Sequence, residues 1–193
     1  MTAVLGLTGS IGMGKSTTAA MFRDRGVPVW DADAAVHRLY APDGPASALL
    51  EAAFPGTTTP EGGVDRDALR AVVTADPGAL DAVNAIVHPL VARDRAAFLA
   101  EHASAPLVVL DVPLLYETGL DAACDRVAVV STDAQTQRAR VLSRGTMTEA
   151  DLAAILSRQV PDVEKRRRAD YIIWTDSIAS AQDAVERIVG EWA

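Results

Sequence analysis

Gly9-Ser-Ile-Gly-Met-Gly-Lys-Ser16 follows the apolar run Ala3-Val-Leu-Gly-Leu-Thr8 and precedes a helix-compatible stretch. The spacing is G-x-x-x-x-G-K-[ST] in a strand–loop–helix context, the pattern of a phosphate-binding loop. Its glycines let successive backbone N–H groups converge on an anion at a helix N-terminus. Lys15 supplies a point charge for β/γ-phosphate oxygens, and the Ser16 hydroxyl is a candidate Mg²⁺ ligand. Lys15 is one of only two lysines, with Lys165, in a chain that otherwise uses arginine. A guanidinium is too broad for such a nest, so a lysine kept here points to phosphate. Gly9, Ser10, Ile11, Gly12, Met13, Gly14, Lys15, Ser16 and Thr17 are therefore the candidate nucleotide-binding residues.

The bulk composition narrows what lies around that loop. A chain of 193 residues suits one α/β domain carrying an insertion. A net charge of −8 and 5% aromatic residues argue against nucleic-acid binding, which needs a basic face and stacking platforms. Cys124 stands alone, so a reducing compartment is expected and the thiol reads as a small hydrophobe. No stretch reads as a signal peptide or a membrane span. A cytoplasmic enzyme, monomeric or a small homo-oligomer, with no nucleic-acid or membrane partner, is the expectation.

Short apolar runs alternate with helical stretches, the pattern of a parallel sheet with crossover helices. The predicted strands are 3–8, 27–31, 107–111, 126–131 and 171–175. Three of them are nearly continuous apolar runs, as strands covered on both faces should be. Helices are predicted over about 15–25, 34–40, 135–143 and 179–192. The stretch from Ala41 to Pro106 is too long for one crossover and reads as several inserted helices, broken at 42–45, 55–60 and 76–78. It is either a cap for a second substrate or simply a larger core.

Carboxylates cluster where the predicted strands end. The second strand runs into Asp31-Ala-Asp33, and ligands of parallel sheets sit beyond the carboxyl ends of strands. If the strand persisted, period two would place both acids on one side. One can then accept a proton from a substrate hydroxyl while the other orients it or approaches Mg²⁺. The alternative for Asp33 is an ordinary helix N-cap. Asp111 closes the third strand after four apolar residues, as an Mg²⁺-shell aspartate does in phosphate-loop enzymes. Further on, Arg138, Arg140, Arg144, Arg158 and Arg166-Arg-Arg168 concentrate guanidinium groups in an acidic chain, around a helix start at Thr148-Glu-Ala-Asp151. They form either a lid over transferring phosphates or a salt-bridged helix pair.

Taken together, Leu7–Thr17, Asp31-Ala-Asp33 with His37, Asn84 through His88-Pro89, Pro113-Leu-Leu-Tyr-Glu117, Arg140 with Arg144, and Ala169-Asp170 resemble the dephospho-CoA kinase family. The resemblance runs in order along essentially the whole chain. It implies an α/β fold: a phosphate-loop NTPase three-layer core with a five-stranded parallel sheet, a helical substrate-binding insertion and a helical lid. The implied boundaries are 1–41, 104–137 and 169–193 for the core, 42–103 for the insertion and 138–168 for the lid. It implies transfer of the ATP γ-phosphate to the ribose 3′-hydroxyl of dephospho-CoA, with ATP and Mg²⁺ required. By the same resemblance Asp33 is the base, Lys15 and Arg140 neutralise the phosphoryl group, and Arg144 belongs to the nucleotide site. Asp31, His37, His88, Pro113, Leu114, Leu115 and Glu117 fall on the substrate side, and Ser16 with Asp111 on the metal. His88 also reads as a helix-end histidine before Pro89, and His37 as a packing or capping residue. Departures from the family pattern are Ser10 and Met13 in the loop, Tyr116 for phenylalanine, and Thr175-Asp-Ser177 for an asparagine-rich turn. Two other readings stay open from sequence: the same fold with a nucleotide or sugar acceptor, and a nucleotide-hydrolysing regulatory module.

Overall fold

The computed structural model describes residues 2–76 and 78–192; Pro77, in the expected break at 76–78, lies outside them. Five parallel strands form one sheet: β1 (Ala3–Thr8), β2 (Val29–Asp31), β3 (Leu107–Asp111), β4 (Arg126–Ser131) and β5 (Tyr171–Trp174), in the order β2-β3-β1-β4-β5. The helices are α1 (Lys15–Asp24), α2 (Ala32–Leu39), α3 (Ser47–Ala53), α4 (Arg66–Ala75), α5 (Ala79–Glu101), α6 (Ala134–Leu142), α7 (Glu149–Leu156), α8 (Asp162–Arg168) and α9 (Ile178–Trp192).

The chain divides into two compact units, one ending at Asp31 and resuming at His102, the other running Ala32–Glu101. In the sheet unit all five residues of β3 are buried, because the strand is covered on both faces. Leu5, Leu7, Val109, Val130 and Ile173 pack with Phe22 of α1 and with Val185 and Ile188 of α9 in one cluster. Phe22 is fully buried there, and truncating it to alanine should cost about 3–5 kcal/mol. Strand order makes β1 the switch point: successive strands depart to one side of it, then to the other. The crevice beyond its carboxyl end is where a doubly wound sheet binds ligands, and the phosphate loop occupies that position.

Strand β2 begins at Val29, two residues later than its apolar character suggests. Gly26, with φ +75°, turns the chain at the end of α1, and the Val27 amide donates to Phe22 O at 3.1 Å. That donor is therefore committed to closing the helix, and Pro28 has none. In the helical unit, Leu39, Leu50, Val64, Leu69, Val83, Val87 and Leu90 form a separate core. Arg38 of α2 reaches Asp94 of α5 at 2.7 Å. The 23-residue α5, about 34 Å long, carries Pro89 inside it. A proline there removes one backbone bond, and the buried residues Val87 and Leu90 on either side keep the helix docked.

Candidate active site

The phosphate loop joins the fully buried end of β1 to the start of α1. Gly14, the N-cap of α1, has φ +93°, and Gly12 has φ +79°. Both lie in the left-handed region that only glycine enters without strain. A Cβ on Gly12 would also come within 2.6 Å of Val141 Cγ2. Lys15 Nζ stands 2.5 Å from Asp111 Oδ1, and the Asp111 side chain is 2% exposed. Burial pushes the Asp111 carboxyl above its ordinary range, Lys15 pulls it back in part, and the nearby Asp31 carboxylate raises it again. Asp31 is the register partner of Asp111 on the neighbouring strand and lies 4.0 Å from Arg23.

Ser16 and Thr17 are exposed at the N-terminus of α1. Among the described residues, no group of three or more His, Cys, Asp or Glu side chains is arranged to hold a metal ion. One hydroxyl and one strand-end carboxylate nevertheless suit Mg²⁺, which prefers few protein ligands and completes its octahedron with phosphate oxygens and water.

Two side chains brace this loop from the stretch that follows β4. Gln137 donates from Nε2 to Ile11 O at 2.8 Å, and the Ile11 amide donates to Gln159 Oε1 at 3.4 Å. Arg140 donates twice to Thr175, from Nη1 to Oγ1 at 3.0 Å and from Nη2 to the carbonyl at 2.6 Å. Arg140 and Arg144 line a cavity of about 320 Å³ with Gly12, Gly14, Thr17 and Ser177. Four other arginines of this stretch are bound elsewhere. Arg138 pairs with Glu149, Arg166 with Asp162, Arg167 with Glu164 and Arg168 with Asp121. For these four the salt-bridged reading holds. The helix start at Thr148 is a full capping box with Asp151.

The segment after β3 is mostly structural. Leu115 is fully buried, so its side chain belongs to the core and presents nothing to a ligand. Glu117 Oε1 lies 2.9 Å from Nζ of Lys165, which is 0% exposed, and accepts from the Val160 amide at 2.8 Å. Burial alone would raise the Glu117 carboxyl; those two donors outweigh it and hold the group below the usual range. Pro113 O accepts from Thr8 Oγ1 at 3.0 Å and from Lys165 Nζ at 3.4 Å. Leu114 is left exposed. The Tyr116 hydroxyl is buried with no hydrogen-bond partner among the described residues. Its ring sits 4.0 Å from the Arg168 guanidinium, and burial pushes the phenol up to about 12.

In the helical unit, Asp33 is the second residue of α2 and exposed. The strand stops at Asp31, so period two does not align the two acids, and Asp33 lies inside the helix, not at its N-cap. His37, exposed one turn along α2, shares its face with Asp33. His88 is exposed in the interior of α5, not at a helix end, because the helix continues through Pro89.

The family model described as dephospho-CoA kinase matches residues 3–180. The chain belongs to the dephospho-CoA kinase family. It is 56% identical over 191 residues to a dephospho-CoA kinase from Jannaschia sp. (strain CCS1), covering 99% of this chain and 97% of the relative. Identity to a dephospho-CoA kinase from Cereibacter sphaeroides is 58% over 189 residues, covering 96% and 93%. The crystal structure of TT1252 from Thermus thermophilus is 32% identical with a TM-score of 0.87, covering 100% of this chain and 98% of that one.

For a kinase of the dephospho-CoA kinase family, the loop glycines, Lys15 and the strand-end aspartates are legible from sequence. Thr175, Gln137 and Gln159 are not, since neutral polar side chains carry no spacing signal and their partners are distant in the chain. Among the described residues no helix is long and apolar enough to cross a membrane.

Proposed function

We propose that the chain transfers the γ-phosphoryl group of ATP to the ribose 3′-hydroxyl of dephospho-CoA, releasing ADP and coenzyme A. The observation that carries this reading is a glycine loop at the carboxyl edge of the sheet whose Lys15 meets Asp111 and whose Gly12 and Gly14 line a cavity with Arg140, in a chain of this family. The bond from the 3′-oxygen to Pγ forms as the bond from Pγ to the β–γ bridging oxygen breaks. The hydroxyl proton goes to Asp33, two residues beyond the end of β2. Lys15 and Arg140 neutralise the equatorial oxygens, and Arg140 can grip two of them. In a loose transition state charge stabilisation matters more than proton removal, so Asp33 acts chiefly by aligning the hydroxyl. Ser16 and Asp111 would hold Mg²⁺, which would supply positive charge to offset that of the transferring phosphates. The cavity at Arg140 and Arg144 would take the base and ribose of ATP.

The helical segment 42–103 is proposed to receive the acceptor, with His88 as a contact on that segment. Residues 138–168 are proposed as the lid, its active charge confined to Arg140 and Arg144. Glu117 serves that site indirectly, by anchoring Lys165 and Val160 at the base of the lid. The test is ADP release with a panel of acceptors. Turnover with dephospho-CoA and little with nucleoside monophosphates or sugars supports the proposal. Equal ADP release without any acceptor would favour a hydrolysing switch, and preference for another acceptor would reassign the substrate.

A further inference from the structure

Thr175 joins the end of the sheet to both the phosphate loop and Arg140. It follows β5 directly, is 8% exposed, and its amide continues the strand by donating to Ser131 O at 2.9 Å. Its hydroxyl lies 2.7 Å from Met13 O and 3.4 Å from Ser131 O. A hydroxyl has one proton, and the shorter contact takes it, so Thr175 donates to the backbone of the phosphate loop. The oxygen's lone pairs then accept from Arg140 Nη1, while the Thr175 carbonyl accepts from Arg140 Nη2. The side chain lies directly under the left-handed Gly14, where an added Cβ would meet its Oγ1, Cβ and Cγ2 at 3.2–3.3 Å.

We propose that Thr175 is a positioning residue for phosphoryl transfer, acting through Arg140 and the Met13 carbonyl. This rests on the reading of Arg140 as a stabiliser of the transferred group. The clasp fixes the guanidinium with neutral oxygens, so the orientation is set while the positive charge is not cancelled. Arg166, Arg167 and Arg168 show the contrary arrangement, each held by a carboxylate. A neutral clasp leaves the remaining N–H donors of Arg140 and its whole charge for phosphate oxygens. The same hydroxyl ties that arginine to the loop that holds the phosphates, so both sides of the reacting group share one reference point.

The experiment compares Thr175→Val, which keeps the shape and loses the hydroxyl, with Thr175→Ser, which keeps the hydroxyl, alone and with Arg140→Ala. Melting temperature and ADP affinity by calorimetry are measured beside the kinetics. Thr175→Val is expected to lower kcat about tenfold to a hundredfold, the cost of a hydrogen bond to a charged group. KM for ATP and ADP affinity should stay within about threefold, because the effect falls on the transferring phosphoryl. Thr175→Ser should recover most of the loss, and adding Thr175→Val to Arg140→Ala should cost little more. Should the valine variant not fold, Thr175→Ala against Thr175→Ser carries the same contrast. Unchanged kcat in Thr175→Val, an equal loss in Thr175→Ser, or losses that multiply with Arg140→Ala would each overturn the proposal. Failure of the unaltered chain to phosphorylate dephospho-CoA would strike the function reading alone. The hydroxyl's role would then be read from ADP release with the acceptor that is turned over.

Discussion

Two arginine sites of the same sheet unit, at Arg140 and at Arg166 to Arg168, differ in what holds their charge. In the second, Arg166 and Arg167 have acids four and three residues before them, Asp162 and Glu164, and pair with them on α8. In the first, Arg140 has no acid three or four residues away in either direction, and its guanidinium is held by Thr175 oxygens beside the phosphate loop. Helical geometry makes positions three and four apart neighbours, so a local acid neutralises an arginine before any ligand arrives. The number of arginines in a stretch is therefore a poor guide to a phosphate site; the lack of a carboxylate partner is a better one.

The contrast is broken most directly by removing one charge from each side of it. Arg140→Ala should lower kcat about a thousandfold, in the range of arginine-supplied charge stabilisation. Steady-state kinetics with ATP and dephospho-CoA would measure it. A loss of less than tenfold would mean that Arg140 is a strut for β5 and no more. Asp33→Asn is expected to cost less, about a hundredfold in kcat with KM nearly unchanged. Wild-type turnover in that variant would remove Asp33 as the base.

A third prediction concerns the anchor at the base of the second site. The Glu117 carboxyl sits below its ordinary value in the folded protein, so it contributes stability above an unfolded value of about 4.5. That contribution should disappear as the pH falls below that value toward the folded one. The melting temperature of the unaltered chain should thus fall more steeply on acidification than that of Glu117→Gln. At neutral pH Glu117→Gln leaves the buried Lys165 cation without its counter-ion, at a cost of about 3 kcal/mol by chemical denaturation. Parallel acid profiles for the two proteins would contradict this. The smallest effect is expected for Arg167→Ala, where an exposed i,i+3 pair is lost: turnover should change less than about twofold.

The strands were legible because parallel strands covered on both faces must be apolar runs, and Leu107–Leu110 and Val127–Val130 are such runs. The phosphate loop was legible because its glycines answer a backbone requirement that few other sequences meet. What escaped reading depends on contacts across the chain. The Glu117–Lys165 pair was not legible, because nothing nearby in sequence marks Lys165 as its partner. Leu115 shares its segment, but its side chain faces the core. His88 looked like a helix end because Pro89 follows, yet one lost hydrogen bond does not outweigh the packing of Val87 and Leu90. Thr175 stood out only within a turn that departs from the family pattern, since a threonine after a strand has no local mark of what its hydroxyl holds.

The most direct test of the central claim is to follow dephospho-CoA by mass spectrometry during incubation with ATP, Mg²⁺ and the purified protein, and to map the product by phosphorus NMR. The account predicts a gain of one phosphate on the ribose 3′-oxygen, with one ADP released per product. Phosphate at another position, or ADP formed with the acceptor unchanged, would contradict it.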